Sequence, residues 1–362
     1  MFGIGIIGLA RSGRTTVFNA LTKSRAYTDN LALHARITEV PEPRLKILAD
    51  MFHPKRVVHA KVTYHDIGAS AKGSVKEKSI IGQFPTQLIN VDALISVVRA
   101  FTDESIPHIE GSVDVQRDIA AMYLKLAFSD LAIVKRGLQR IDISLKGAKQ
   151  SERQDLLRKQ EMLIKLKADL EKDVPTRELV LTISEARTMA SYQFLSAKPL
   201  LIVVNIGEDQ LPQAASLEAE LNSRYSQSDC RAITLCGQLE MELAQLDNST
   251  ADGFRAEFGV KESGLDRIIK LSYELLGLIS FFTTVSAEIK AWSIQNGTNA
   301  LKAASKIHSD MERGFIRAEV ISYNDLAICG NLAEARKKGL LRPERKDYIV
   351  QDGDVITFLF NV

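Results

Sequence analysis

Apolar residues gather along the chain first in short, nearly unbroken runs. Phe2–Gly8 (FGIGIIG), Ala93–Val98 (ALISVV) and Leu200–Asn205 (LLIVVN) are of this kind, and His59–His65 (HAKVTYH) is a further strand candidate. Continuous runs predict strands of a parallel sheet with both faces covered by helices. A helix is expected over 15–23, with Val17, Phe18, Ala20 and Leu21 as its apolar positions. Together these elements predict a doubly wound α/β core.

The period changes between about Val115 and Ala197. Ala127, Leu131, Val134, Leu138, Ile141 and Leu145 recur at alternating steps of four and three, a heptad seam. Lys146-Gly147-Ala148-Lys149 breaks it, and Leu156, Leu163, Leu166 and Leu170 rebuild it, with Lys159 at the position of a further apolar residue. Two antiparallel helices, a coiled-coil hairpin, are predicted, with Pro175 ending the second arm. Lys135, Arg136 and Arg140 lie off the seam, on a face that is either solvated or turned to RNA. From about Ser280 to Val362, strand-like segments (Ile279–Thr284, Ile316–Ile321, Val355–Phe360) flank a helix candidate at Asn299–His308. A turn signal, Asp352-Gly353-Asp354, precedes the final strand. The expected domains are therefore 1–114 with 198–279, an inserted 115–197, and a small α+β module at 280–362.

Composition narrows the function classes. In 362 residues, 47 Lys and Arg face 45 Asp and Glu, so a net charge of +2 argues against a strongly basic nucleic-acid coat. No run approaches the roughly 18 apolar residues of a membrane span, and no membrane partner is expected. The amino-terminal run lacks the basic segment of a signal peptide. Cys230, Cys236 and Cys329 show no paired metal spacing and are too few for a disulfide framework, which fits a reducing cytoplasm. The histidines are scattered; His65, beside Asp66, is the one placed to touch a bound phosphate. Trp292 and Cys236 read as packing residues, and Arg313, Arg317 and Arg336-Lys337-Lys338 as either a solvated face or an RNA contact.

The chemistry concentrates in Gly8-Leu9-Ala10-Arg11-Ser12-Gly13-Arg14-Thr15-Thr16, between a predicted strand and a predicted helix. This is the setting of a phosphate loop, in which two glycines let backbone N–H groups curl around phosphate oxygens at a helix N-terminus. Thr15 would supply a hydroxyl for magnesium. The usual lysine is replaced by Arg14, a planar fork where a compact ammonium is normal.

Further segments follow in a set order: VPEPRL (40–45), YHDIGASAKGS (64–74), VDALISVVRAF (91–101), KPLLIVVNIGE (198–208), SAEIKAW (286–292), IHSDMERGFIRAEVIS (307–322) and KDYIVQDGDVITFLFNV (346–362). In this order and spacing the sequence resembles the YchF/Obg-like ATPase family over almost its whole length. The resemblance implies a Ras-like P-loop NTPase core, an inserted helical coiled coil and a C-terminal ubiquitin-like TGS module. It further implies a preference for ATP over GTP, association with the ribosome or its RNA through the TGS and coiled-coil parts, and a cytoplasmic location. Asn205-Ile206-Gly207-Glu208 is similar to the family's N-x-x-E. Asn205 and Glu208 would then read the base, with Ile206 beside it. Gly8, Arg11, Ser12, Gly13, Arg14, Thr15 and Thr16 would hold the phosphates, and Thr15 with Asp66 the magnesium ion.

The departures from the family pattern fall in that site. Arg11 stands where an asparagine helps hold potassium, and a guanidinium ligates no cation. No equivalent of the family's γ-phosphate-closing threonine is recognisable in 26–39 (AYTDNLALHARITE). Asp66-Ile67-Gly68-Ala69 inverts the order of the family's D-x-A-G, and Ser70 replaces a following leucine. Because phosphoryl transfer rests on positioning and charge neutralisation, two readings follow. One is a nucleotide-binding protein with slow or absent hydrolysis. The other is a non-catalytic ribosome- or RNA-binding factor with a vestigial nucleotide site. No catalytic residue is assigned under either.

Overall fold

The computed structural model describes residues 2–23, 34–67, 84, 86–225, 230–260, 262–285 and 287–361. The chain opens β1 (Phe2–Gly8), α1 (Arg14–Thr22), β2 (His34–Glu39), α2 (Pro43–Phe52), β3 (Arg56–Val58), β4 (Lys61–Asp66) and β5 (Ala93–Arg99). The helical excursion is α3 (Val115–Gly147), α4 (Gln150–Leu170) and α5 (Ile183–Ala190). Then come β6 (Leu200–Asn205), α6 (Ala214–Tyr225), β7 (Cys230–Leu235), α7 (Gly237–Leu243), α8 (Asn248–Glu257) and α9 (Gly264–Leu275). The C-terminal elements are β8 (Leu278–Val285), β9 (Glu288–Gln295), α10 (Ala300–Ile307), α11 (Ser309–Arg313), β10 (Phe315–Ser322), α12 (Tyr323–Cys329), α13 (Leu332–Lys337), β11 (Arg342–Glu344) and β12 (Asp354–Phe360).

Two compact units result. One comprises 2–36 and 63–267, the other 37–62 and 268–362. The first holds β1, β5, β6 and β7, which run parallel in the sheet ordered β2-β4-β1-β5-β6-β7. Every residue of β5 and β6 is buried, so the unbroken apolar runs read from the sequence match strands covered on both faces. The parallel order places the carboxyl ends of β1, β5 and β6 side by side, with Gly8 level with Val97 and Arg99 level with Asn205. In open parallel sheets that edge is where ligands bind.

The excursion between β5 and β6 packs α3 against α4, joined by Ala148 and Lys149. Ala127, Leu131, Val134 and Ile141 on α3 and Leu163, Leu166 and Leu170 on α4 are buried together, with Leu138, Leu145 and Leu156 alongside. Met162, Met189 and Phe194 complete this cluster outside the heptad pattern. Lys159, at the polar position in the seam, pairs with Asp155 at 2.7 Å.

In the second unit the sheet order is β11-β10-β12-β8-β9-β3, with a mixture of parallel and antiparallel pairs. Trp292 packs on Phe281 and donates its indole N–H to Thr283, as expected of a core tryptophan. The basic residues of this unit largely meet carboxylates: Arg317 and Arg336 share Glu319, Lys337 meets Glu334, and Arg313 meets Asp310. Residues 37–62 differ from the expected domain bounds, which kept them with the phosphate-loop core. They cluster with the C-terminal elements because β3 adds to β9 as a parallel edge strand, Arg56 opposite Glu288 through Val58 opposite Lys290. Arg44 reinforces this, bonding Asp352 at 2.7 Å and stacking over Phe282.

Candidate functional site

The loop leaving β1 is shaped by its two glycines. A Cβ on Gly8 would lie 2.6 Å from Ser12 Oγ and 2.7 Å from Val97 O, so only glycine lets the chain turn there. Gly13 caps α1 in the left-handed region at φ +85°, and a Cβ there would strike Asn205 Nδ2. As a cap without a side chain, Gly13 leaves the first-turn N–H groups of α1 open to a ligand. Ser12 is buried, with its hydroxyl unpartnered among the described residues. A cradle of open N–H groups with an orphan hydroxyl suits a phosphate.

Asn205 ties this loop to the rest of the edge. Its Nδ2 donates to Ser12 O at 3.1 Å and its Oδ1 accepts from Gly237 N at 2.9 Å. The resemblance assigned Asn205 to the base; in the structure its hydrogen bonds clamp the phosphate loop to the β7–α7 turn. Ile206 is buried and pairs with Leu235 through its backbone, whereas Glu208 is exposed at the cavity rim.

A cavity of about 870 Å³ opens beside the loop, within the size range of ligand pockets. Arg11, Ser12, Gly13, Arg14, Thr15 and Thr16 line one side and Asn205 through Asp209, with Cys236, another. The remaining wall is a segment that sequence reasoning missed: Phe101, Thr102, Asp103 and Ile106. It is held by Arg99, itself buried, which donates to the carbonyls of Phe101 and Ile106 at 3.0 and 2.7 Å and stacks on the Phe101 ring. The signal was a charged residue ending an otherwise apolar strand, which at a sheet edge needs a partner.

Other assigned residues take different places. Arg11, at φ +64°, turns its guanidinium to Pro107 O, 2.8 Å away, bracing the same wall. His65 lies on β4 one residue before Asp66, so the alternation of the strand sends the two side chains to opposite faces. The His65 ring packs where a Cβ on Gly3 would meet it at 3.3 Å, at the far end of β1 from the phosphate loop. Burial lowers its pKa, which favours the neutral ring. A phosphate contact from His65 is therefore not part of this site. Burial raises the Cys236 thiol pKa, consistent with a packing role. Gly68, Ala69 and Ser70, and the 26–33 part of the segment read against the family's closing threonine, lie outside the described residues.

The metal pair departs most from expectation. Thr15 Oγ1 donates to Asp66 Oδ2 at 3.0 Å, and Arg14 Nε donates to Asp66 Oδ1 at 2.5 Å. Arg14 does not simply reach forward to phosphate, as the lysine it replaces would. Both oxygens of the carboxylate assigned to magnesium are bonded within the protein, and its charge is balanced by a guanidinium. This arrangement does not fit a divalent cation at Asp66. Among the described residues no group of three or more His, Cys, Asp and Glu is placed to hold a metal.

Relatives follow the whole chain. It is 38% identical over 365 residues to the ribosome-binding ATPase YchF of Bacillus subtilis, covering 99% of both chains. Against the ribosome-binding ATPase YchF of Escherichia coli O157:H7, identity is 34% over 366 residues, covering 100% of this chain and 99% of that one. The chain belongs to the YchF family. A YchF family model for the C-terminal part of these GTPases, described as a protein of unknown function (DUF933), matches residues 278–361. The structure of the Schizosaccharomyces pombe YchF GTPase superimposes with a TM-score of 0.85 at 28% identity, covering 99% of this chain and 97% of that one. The α/β architecture is thus shared along the full length of a YchF protein.

Proposed function

We propose that this protein is a nucleotide-binding factor of the YchF type that associates with the ribosome in the cytoplasm and hydrolyses nucleotide slowly or not at all. The observation that carries the reading is the cavity of about 870 Å³ at the carboxyl edge of the parallel sheet, floored by a glycine-shaped loop with open N–H groups and an orphan Ser12 hydroxyl. Ribosome binding and ATPase activity are named for relatives up to 38% identical over nearly the whole chain. Glu208, at the rim in place of the Asp that reads guanine in GTPases, supports ATP over GTP. The C-terminal sheet, read as a TGS module, and the α3–α4 pair, read as a coiled coil, are the parts assigned to ribosomal contact. Slow turnover follows from the chemistry: Arg14 is fixed on Asp66 and Arg11 on Pro107, so neither is free to move with the charge that develops on a transferred phosphoryl group.

Calorimetric titration of the purified protein with ATP, GTP and their diphosphates tests this reading. Micromolar ATP binding with a turnover at least a hundredfold below an intact P-loop relative is expected, since each misplaced charge-stabilising group costs about 3 kcal/mol. Silence at millimolar nucleotide would leave the alternative, a ribosome- or RNA-binding factor with a vestigial site. The closure of Arg14 on Asp66 is the observation that favours that second reading.

A further inference from the structure

Asp66 is 5% exposed and Arg14 17%, so water competes little for their contact. A guanidinium does not lose its proton in proteins, which removes the escape open to a buried lysine. A magnesium ion arriving at Asp66 would meet a carboxylate already neutralised, a fixed positive charge beside it, and one neutral hydroxyl, that of Thr15. Magnesium asks for near-octahedral oxygen ligation with at least one carboxylate free to serve it. The guanidinium, in contrast, has capacity left. Only Nε is committed to Asp66, and the two terminal nitrogens of Arg14 have no hydrogen-bond partner among the described residues. Arg14 also lines the cavity, beside the open first turn of α1. One edge of the planar fork thus binds a carboxylate while the other presents donors to an anion, the bridging task a metal ion performs between acid and phosphate.

We propose that the site takes a nucleoside polyphosphate without a divalent cation, the guanidinium of Arg14, held on Asp66 through Nε, presenting its terminal N–H donors to the phosphate oxygens that the ion would otherwise bind. This rests on the reading of the cavity as a nucleotide site. Departure from a lysine loop is then a change in how the phosphates are held, by hydrogen-bond donors in place of an ion, and a guanidinium offers no Lewis acid to an attacking water.

The test is ATP binding by calorimetry in excess magnesium and in excess EDTA, on the full chain and on Arg14→Lys, with thermal unfolding to verify that the variant is folded. The expected result is that chelation leaves the dissociation constant of the native chain within threefold, or tightens it. In Arg14→Lys, chelation weakens ATP at least tenfold, because a flexible ammonium can leave Asp66 to a metal. Loss of more than tenfold on chelation in the native chain overturns the proposal and leaves the nucleotide site standing. Absence of binding in both buffers overturns both. A second measurement bears on the case in which Arg14→Lys fails to fold. Manganese added to the ATP-saturated native protein should give the electron paramagnetic resonance spectrum of manganese–ATP in solution. A protein-immobilised signal would show a metal at the site and refute the idea.

Discussion

Asn205 is the residue on which the site depends most. It is 4% exposed, and its amide bonds Ser12 O on one side and Gly237 N on the other, joining loops 32 residues or more apart in sequence. Truncation to alanine would remove both bonds and leave a buried carbonyl and a buried N–H unpaired, at a cost of about 2–4 kcal/mol. Asn205→Ala should therefore lower the urea midpoint and weaken ATP by tenfold or more, since the loop loses its clamp. A loss below 0.5 kcal/mol in urea unfolding would mean that the clamp is not what orders the loop. The type and position of Asn205 were legible in the sequence, but its partners were not: nothing local tells that Ser12 lies across from it.

Among the elements, the α3–α4 excursion is tied at its base by one buried acid. Asp130 on α3 accepts from Leu195 N at 2.8 Å and Ser196 N at 2.7 Å, fastening the returning chain before β6. Burial pushes its pKa from 3.8 up to about 6, against the lowering effect of those donors. A raised pKa means the folded chain holds a proton that the unfolded chain has released. Asp130 therefore contributes stability below pH 4 that is lost as pH rises through 6, on the order of 3 kcal/mol. Urea unfolding of the native chain and of Asp130→Asn at pH 4.5 and pH 7 would display this. The native chain's advantage over the variant should shrink toward pH 7, and a difference flat with pH would exclude Asp130 as the titrating group. The heptad seam made both helices and their buried faces readable, because a repeating apolar pattern fixes which side of a helix faces a partner. Asp130 was invisible to that reading, since its neighbours come from 65 residues away.

For the whole molecule, charge is unevenly spread. Residues 115–170 carry twelve Lys and Arg against seven Asp and Glu, an excess of five in a chain whose total is only +2. Lys135, Arg136 and Arg140 are exposed on α3 without an ion-pair partner among the described residues, whereas the cations of the C-terminal sheet largely face carboxylates of their own. If ribosomal RNA is the partner, the helical excursion is the better docking element. Replacing Lys135, Arg136 and Arg140 together with glutamate should weaken ribosome association by tenfold or more and flatten its salt dependence by about two to three in the slope of log K against log salt. An unchanged slope would move the contact to another face.

The sequence by itself marked the main strands of the core, the helical pair and the phosphate loop, in order. Unbroken apolar runs marked β5 and β6, the heptad marked α3 and α4, and the glycine spacing marked the phosphate loop, because each depends on residues near one another in the chain. The family too was readable, as an ordered series of short motifs. What only the tertiary structure decided is which charges meet. Arg14 closes on Asp66 from 52 positions away, Arg11 reaches Pro107, and β3 joins the C-terminal sheet rather than the phosphate-loop core. A charged side chain selects its partner by distance in space and by exclusion of water, and neither is encoded in any local pattern of the sequence.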